Sequence, residues 1–312
     1  MLIWACLEIW LQSHGETRTR DGMTTSVLVP SSIVRETTDK RAATLKLGYV
    51  ARAAAVFGID RLGIFPDPEG EASLGGGFVD TVLRYAATPP YLRKEVFGTR
   101  DELEYAGVLP PLRLSSWTGS ESSGSGSIRQ GVVTQVGSDG RVRVNCGLQH
   151  PISLHLPSER TVTEGERVTI RVSSRRPVRA KLVDEPLPGF VVDRVDLRDA
   201  LGRADAGLRI ATSRHGTPLT ASSADEWATR GVEHGLTVAF GAPGRGLPAM
   251  LGIDPSDLPA DQEPPPVSET RPDTDHPGGF DAWLNTIPDQ GSEVVRTEEA
   301  MFVSLAHLTL TE

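Results

Sequence analysis

"TSVLVPSSIVRETTDKRAATLKLGYVARAAAVFGIDRLGIFPD" runs from Thr25 to Asp67, and its change of periodicity decides the fold. "TSVLVP" (Thr25–Pro30) is a short continuous apolar run, the pattern of a buried strand. A helix follows, with Thr38 or Asp39 near its cap. Leu45, Val50, Ala53, Ala54 and Phe57 supply its apolar positions, and Gly58 stands where it should end. "IDRLGIFPD" (Ile59–Asp67) reads as the next strand. Strand, long helix and strand form a βαβ unit, which implies a parallel sheet. Beyond it, "GFVDTVLRYAATPPYLRKEVFG" is helical and interrupted at Pro89-Pro90.

Composition bounds the rest. A chain of 312 residues has room for two domains, and 38% apolar residues with 32 Gly and 23 Pro suit a soluble α/β or α+β protein. The net charge of −9 argues against wholesale nucleic-acid binding, unless charge is segregated along the chain. Cys6 and Cys146 fit neither a metal spacing nor a disulfide framework, which points to a reducing cytoplasm. The opening "MLIWACLEIWLQSHGETRTRDG" lacks a basic start and a small-residue cleavage site, and Glu8 breaks its apolar run. No segment reaches the ~20 apolar residues of a membrane span. With Met23 directly before folded-looking sequence, residues 1–22 read as a dispensable or mis-started extension, with a real amphipathic N-terminal helix as the alternative.

After the Gly/Ser-rich connector "SSWTGSESSGSGS" (Ser115–Ser127) the period becomes two. In "GVVTQVGSDGRVRVNCG" two alternating runs flank Asp139-Gly140, a hairpin signal. Val142, Val144 and Cys146 share one face, and Arg141, Arg143 and Asn145 the other. "RVTIRVSSRRPVRAKLV" repeats the device, with Val168, Ile170 and Val172 opposite Arg167, Thr169 and Arg171. Residues 127–183 therefore form a small all-β module inserted in an α/β domain made of 23–126 and 184–312. From Arg129 to Lys181 there are ten basic and four acidic residues, a reversal of the chain's overall sign. A five-strand barrel with a basic face is a common RNA-holding device. Arg141, Arg143, Arg167, Arg171, Arg175 and Arg176 are its candidate contacts; an ordinary solvated strand face would explain scattered arginines equally well. The acidic, Pro-rich 254–279 reads as an exposed excursion without a core, and such a surface suits a high-salt cytoplasm.

Three segments resemble one another: "IATSRHGTP" (Ile210–Pro218), "AFGAPGRGLP" (Ala239–Pro248) and "NTIPDQGSEVVRTEEAMFVSLAHL" (Asn285–Leu308). Each is a short apolar stretch opening into a loop of small residues, and loops at strand carboxyl ends are where open α/β sheets bind ligands. The second lacks both the dinucleotide fingerprint and the Lys-Ser/Thr of a P-loop, which disfavours nucleotide-triphosphate chemistry and a Rossmann oxidoreductase. No His/Cys/Asp/Glu grouping has metal spacing.

"FGAPGRGL" followed by "NTIPDQGSEVVRTEEAMFVSLAHL" resembles the cofactor region of the SPOUT (α/β-knot) RNA methyltransferases. "VPSSIV", "ARAAAVFGID", "RYAATPPYLRKEVF", "YAGVLPPL", "RQGVV", "VNCG", "TSRHG" and "TEEA" follow the order of the archaeal and eukaryotic RNA uridine methyltransferases, across Thr25–Thr309. Residues 1–22 and the long acidic excursion depart from that pattern. The resemblance implies a trefoil-knotted SPOUT methyltransferase domain with an inserted OB-like β-barrel, S-adenosylmethionine as methyl donor, a homodimer and a ribosomal RNA substrate. It implies donor contacts from Thr212, Gly216, Phe240, Gly241, Gly244, Gly246, Ile287, Pro288, Gly291 and Thr297.

The ending Gly291…Arg296-Thr297-Glu298-Glu299-Ala300 resembles that of bacterial enzymes methylating ring nitrogen 3 of uridine, which makes Glu298 the candidate base. Arg245, a charge within a candidate pocket loop, is the candidate partner of a substrate phosphate or of the donor's carboxylate. Thr297 is also a plausible cap for the last helix, with Glu298 and Glu299 in its first turn. Arg296 is expected to pair with one of those acids, and Trp283 to be core. Methylation of another base or a ribose hydroxyl, and an RNA-binding protein without catalysis, remain the alternatives.

Overall fold

In a computed structural model that describes residues 23–114, 117, 127–138, 140–156, 160–175, 178–185, 187–259, 261–263 and 277–310, strand β1 (Thr25–Pro30) is buried at every residue. It pairs in parallel with β2 (Arg61–Phe65) on one side and β10 (Leu236–Ala239) on the other. The sheet continues to β8 (Val191–Arg194) beyond β2, and to β9 (Leu208–Pro218) and β11 (Ala282–Asn285) beyond β10, in the order β11-β9-β10-β1-β2-β8. Every neighbouring pair is parallel.

Alternation along the strands divides the core between two faces. Val27, Val29, Ile64, Ile210 and Val238 pack with α1 (Lys40–Val56), α2 (Gly76–Ala87), α5 (Ala221–His234) and α7 (Thr297–Thr309). Leu28, Phe65, Ala211, Ala239 and Trp283 face the short helices α4 (Leu197–Leu201) and α6 (Leu247–Leu251). Each fully buried Leu, Ile or Val stabilises by about 1.5–3 kcal/mol, so covering both faces is what a parallel sheet requires. Helix α1 is capped by Asp39, which accepts from Ala42 N at 2.7 Å, and the chain leaves it through Gly58 at φ +62°. Pro90 opens α3 (Pro90–Phe97), where the missing amide hydrogen does no harm.

Residues 127–183 carry a second, antiparallel sheet: β3 (Ser127–Val136), β4 (Arg141–Asn145), β5 (Ile152–His155), β6 (Arg167–Arg175) and β7 (Val178–Val183), in the order β5-β4-β3-β6-β7. Its edge strands β5 and β7 approach each other, so the sheet is nearly closed. Val142, Val144, Cys146, Val168, Ile170 and Val172 fill its interior as the period of two predicts. The Cys146 thiol is buried, which pushes its pKa up. The barrel rests on α3: Tyr91 Oη donates to Gln130 O at 3.1 Å and Asn145 Nδ2 to Glu95 at 2.7 Å. Burial raises the Tyr91 hydroxyl to about 12.

Three expectations change. The second strand is shorter than Ile59–Asp67, because Asp60 turns its carboxylate to Thr25 N at 2.7 Å and Pro66 lacks a donor to extend the ladder. The first candidate loop lies inside β9: pairing runs Ile210↔Ala282 and Ala211↔Trp283, then resumes at Thr217↔Leu284, so 212–216 bulge out of the ladder. The acidic excursion is tied down at both ends, where Leu258 and Phe280 are buried against Trp283. Residues 1–22, most of the Gly/Ser connector, Asp139, Arg176 and 264–276 lie outside the described residues; Trp117 of the connector is buried in the main core.

Candidate active site

The bulge of β9, the loop after β10 and the loop after β11 converge at the carboxyl edge of the sheet around a cavity of about 340 Å³. That volume falls within the range of small-molecule sites, and the place is where open α/β sheets bind ligands. Thr212, Phe240, Gly241, Gly244, Gly246, Ile287 and Thr297 line it, together with Arg214, His215 and Arg245. Gly216, Pro288 and Gly291 do not; the last two are exposed on the outside of their loop.

Each loop is held from within. Thr212 Oγ1 donates to Ala239 O at 2.9 Å, fastening the bulge to β10. Gly216 lets the bulge return, since a Cβ there would stand 2.5 Å from Trp283 O. Asn285 braces the third loop: its Oδ1 accepts from Ile287 N at 3.1 Å and its Nδ2 donates to Arg214 O at 3.2 Å. Thr297 is the first residue of α7 rather than its cap. Its hydroxyl reaches across to Gly241 O at 2.8 Å, while Glu299 accepts from Arg296 N at 2.9 Å. Arg296 thus meets Glu299 through its backbone. Trp283 is fully buried, edge-on to Phe280.

Arg245 has carboxylate partners already. Pro243 and Gly244 (φ +69°) form a type II turn closed by Arg245 N donating to Ala242 O at 3.0 Å, and this turn presents the arginine. Its Nε lies 3.1 and 3.2 Å from the two oxygens of Asp67, just beyond β2, and Nη2 lies 3.1 Å from Glu69. Asp67 is buried and doubly held: Ser32 Oγ donates to its carboxylate at 2.5 Å, and its N–H donates to Ser31 Oγ at 2.8 Å. Sequence reading missed Asp67, Ser31 and Ser32 as a group, although "VPSSIV" and "IFPD" end adjacent strands.

Glu298 points elsewhere. It lines a second cavity of about 510 Å³ with Glu36, Lys46, Tyr49, Arg296 and Phe302. Buried Lys46 bonds to Glu36 and lies 3.4 Å from Glu298 Oε2, an oxygen without a hydrogen bond. Neighbouring residues differ by roughly 100° around a helix, so Thr297 faces the first cavity and Glu298 the second.

On the barrel, Arg143 is exposed, Arg141 lies 2.9 Å from His155 Nε2, Arg171 pairs with Glu185 at 2.5 Å and Arg167 donates to Gln130. Arg175 ends β6. Among the described residues no group of His, Cys, Asp and Glu could hold a metal, and no helix is long and apolar enough to cross a membrane.

A doubly covered parallel sheet, a cavity of small-molecule size between the bulge of β9 and the loops after β10 and β11, and an inserted β-barrel define the class: an α/β domain that carries a basic β module. Residues 24–308 match the model of a family described as "Putative RNA methyltransferase", and the chain belongs to that RNA methyltransferase family. Two similar proteins are uncharacterized: one of Halobacterium salinarum, 71% identical over 93% of this chain and 100% of its own length, and one of Haloarcula marismortui, 64% identical over the same shares. A third is the 28S rRNA (uridine-N(3))-methyltransferase of Mus musculus, 29% identical over 91% of this chain and 76% of that protein.

Proposed function

We propose that this chain transfers the methyl group of S-adenosylmethionine to ring nitrogen 3 of a uridine in ribosomal RNA. The observation that carries the reading is the convergence of the β9 bulge and the loops after β10 and β11 on one cavity. The cavity also has a place kept free of a side chain. Gly246 has φ −72° and ψ 168°, open to any residue, and a Cβ there would meet nothing closer than Pro248 Cδ at 3.5 Å. Neither backbone nor packing requires glycine at that position; a ligand approaching the backbone would.

Phe240, Ile287, Val294, Val295 and Ala300 give the cavity apolar surface for an adenine ring, and the loop backbones offer amides and carbonyls around it. The donor, when bound, supplies an electrophilic methyl group on a sulfonium. The chain must exclude water, present the uracil and accept the proton that leaves nitrogen 3 as the new N–C bond forms. Glu298 is the proposed base; since it opens onto the second cavity, that role needs a donor brought there by the partner of the proposed homodimer. Arg245 offers guanidinium donors beside the cavity, its charge met by Asp67 and Glu69. The exposed Arg143, with Arg141 and Arg171, gives the OB-like barrel a phosphate-gripping face. The parallel sheet threaded as a SPOUT trefoil knot, and residence in a salt-rich cytoplasm, complete the proposal.

Calorimetric titration with S-adenosylmethionine, beside Gly246→Phe, tests it. Wild type should bind with micromolar affinity and the variant, folded but filled, should not. Incubation with ribosomal RNA and donor should then yield 3-methyluridine on nucleoside analysis. Absent donor binding refutes the enzyme reading, and a methylated ribose or other base refutes the nitrogen 3 assignment.

A further inference from the structure

Arg245 is gripped unequally. Asp67, its inner partner, has a side chain only 4% exposed and is fixed by Ser31 and Ser32. Gly70 is shaped to this arrangement, because a Cβ there would fall 2.0 Å from Asp67 Oδ2. Glu69, the outer partner, has a side chain 83% exposed and touches only the far nitrogen of the guanidinium. A solvated ion pair of this kind contributes little and exchanges readily, whereas a buried, hydrogen-bonded carboxylate is costly to disturb. One side of the guanidinium is therefore anchored and the other is covered by a removable carboxylate, beside the cavity that Arg245 lines.

We propose that the outer edge of Arg245 is an oxyanion subsite, occupied in the free protein by Glu69 and vacated when a substrate group takes its place. Two parallel N–H donors of a guanidinium suit a bidentate phosphate or carboxylate. The ligand is thus either a phosphate of the RNA, beside the nucleotide to be modified, or the carboxylate of the methyl donor. Asp67 acts as a positioning residue that sets the direction of the guanidinium, and Glu69 acts as an internal competitor that lowers affinity for the incoming group. The assignment of these two ligands rests on the function proposed above.

The test is a double-mutant cycle of Glu69→Gln and Arg245→Gln on the full chain, with two probes. Binding of a uridine-containing single-stranded RNA is read by fluorescence anisotropy, and binding of S-adenosylmethionine by calorimetry. Glu69→Gln should tighten one of them by about 2- to 5-fold, and the gain should vanish in the Arg245→Gln background. Tightening of RNA identifies the phosphate; tightening of the donor identifies the carboxylate. Asp67→Asn should weaken the same probe, with the Glu69→Gln gain reduced. Unchanged affinities in Glu69→Gln, or a gain that persists without Arg245 as a mere charge effect, overturn the subsite. Wild type that binds neither probe overturns the functional reading, and the subsite's ligands with it. Binding of both probes with no response to Glu69→Gln overturns the subsite alone.

Discussion

Replacing Gly216 with alanine tests the link between the sheet and the cavity. The added Cβ would stand 2.5 Å from Trp283 O, 2.6 Å from Trp283 C and 2.8 Å from Leu284 N. A comfortable carbon–oxygen approach is about 3.3 Å, so β11 must retreat by about 0.8 Å or the bulge must swing outward. The obstacle is the backbone of the buried Trp283 and Leu284 and has no rotamer by which to escape. Overpacking of this kind costs about 1–3 kcal/mol, equivalent to a fall in Tm of about 2 to 12 °C. Gly107→Ala is the control, because nothing lies within 4 Å of its Cβ position. Thermal melts followed by circular dichroism measure both. The Gly216 variant should also bind S-adenosylmethionine more weakly, because the third loop hangs from β11. If Gly216→Ala melts with wild type and with Gly107→Ala, the close approach of β9 to β11 is wrong, and so is the geometry of the bulge.

Two further outcomes follow from charges away from that bulge. Asp205 accepts from Arg203 at 3.0 Å and from Arg61 at 2.6 Å, and these bonds hold its pKa down to about 2. Because the folded value lies below the ordinary carboxylate value of about 4, its contribution is complete above that value and is lost as pH falls towards 2. Melts between pH 5 and about 2 should show Asp205→Asn losing less stability than wild type across that window; parallel curves would remove Asp205 from the account. Lys46→Met should strand Glu298 in the second cavity and cost about 3–5 kcal/mol by urea unfolding. Adding Glu298→Gln should recover part of that loss, and no recovery would mean that the two side chains do not interact.

What could be read from the chain was local. Asp39 followed by an apolar helical face, the alternation around Asp139-Gly140 and the fully apolar Thr25–Pro30 each report a neighbourhood of a few residues. The three loops were legible as small-residue segments, and seven of the ten residues named in them line the cavity. The bulge of β9 was not, because it exists only against β11, far along the chain. Nor was the Asp67–Arg245 pair, since the end of β2 meets the loop after β10 only because β1 lies between those strands. Thr297 has the chemistry of a cap, yet a tertiary acceptor, Gly241 O, takes its hydroxyl. The side on which Glu298 falls depends on how α7 is rotated about its axis, which its residue type does not encode.

The strand order also sets a timetable for synthesis. β1 is made before the barrel, yet one of its two partners pairs Thr25 with Leu236, after the whole barrel has been translated. Contacts of such separation form slowly, and unpaired parallel strands are exposed to aggregation while they wait. The barrel closes through near neighbours and can fold on the ribosome while β1 still lacks its second edge. The cavity is completed later than the barrel, because Thr297 and Ala300 belong to its wall. A nascent chain thus carries its basic module before its cavity is closed, and ribosomes would meet the former first.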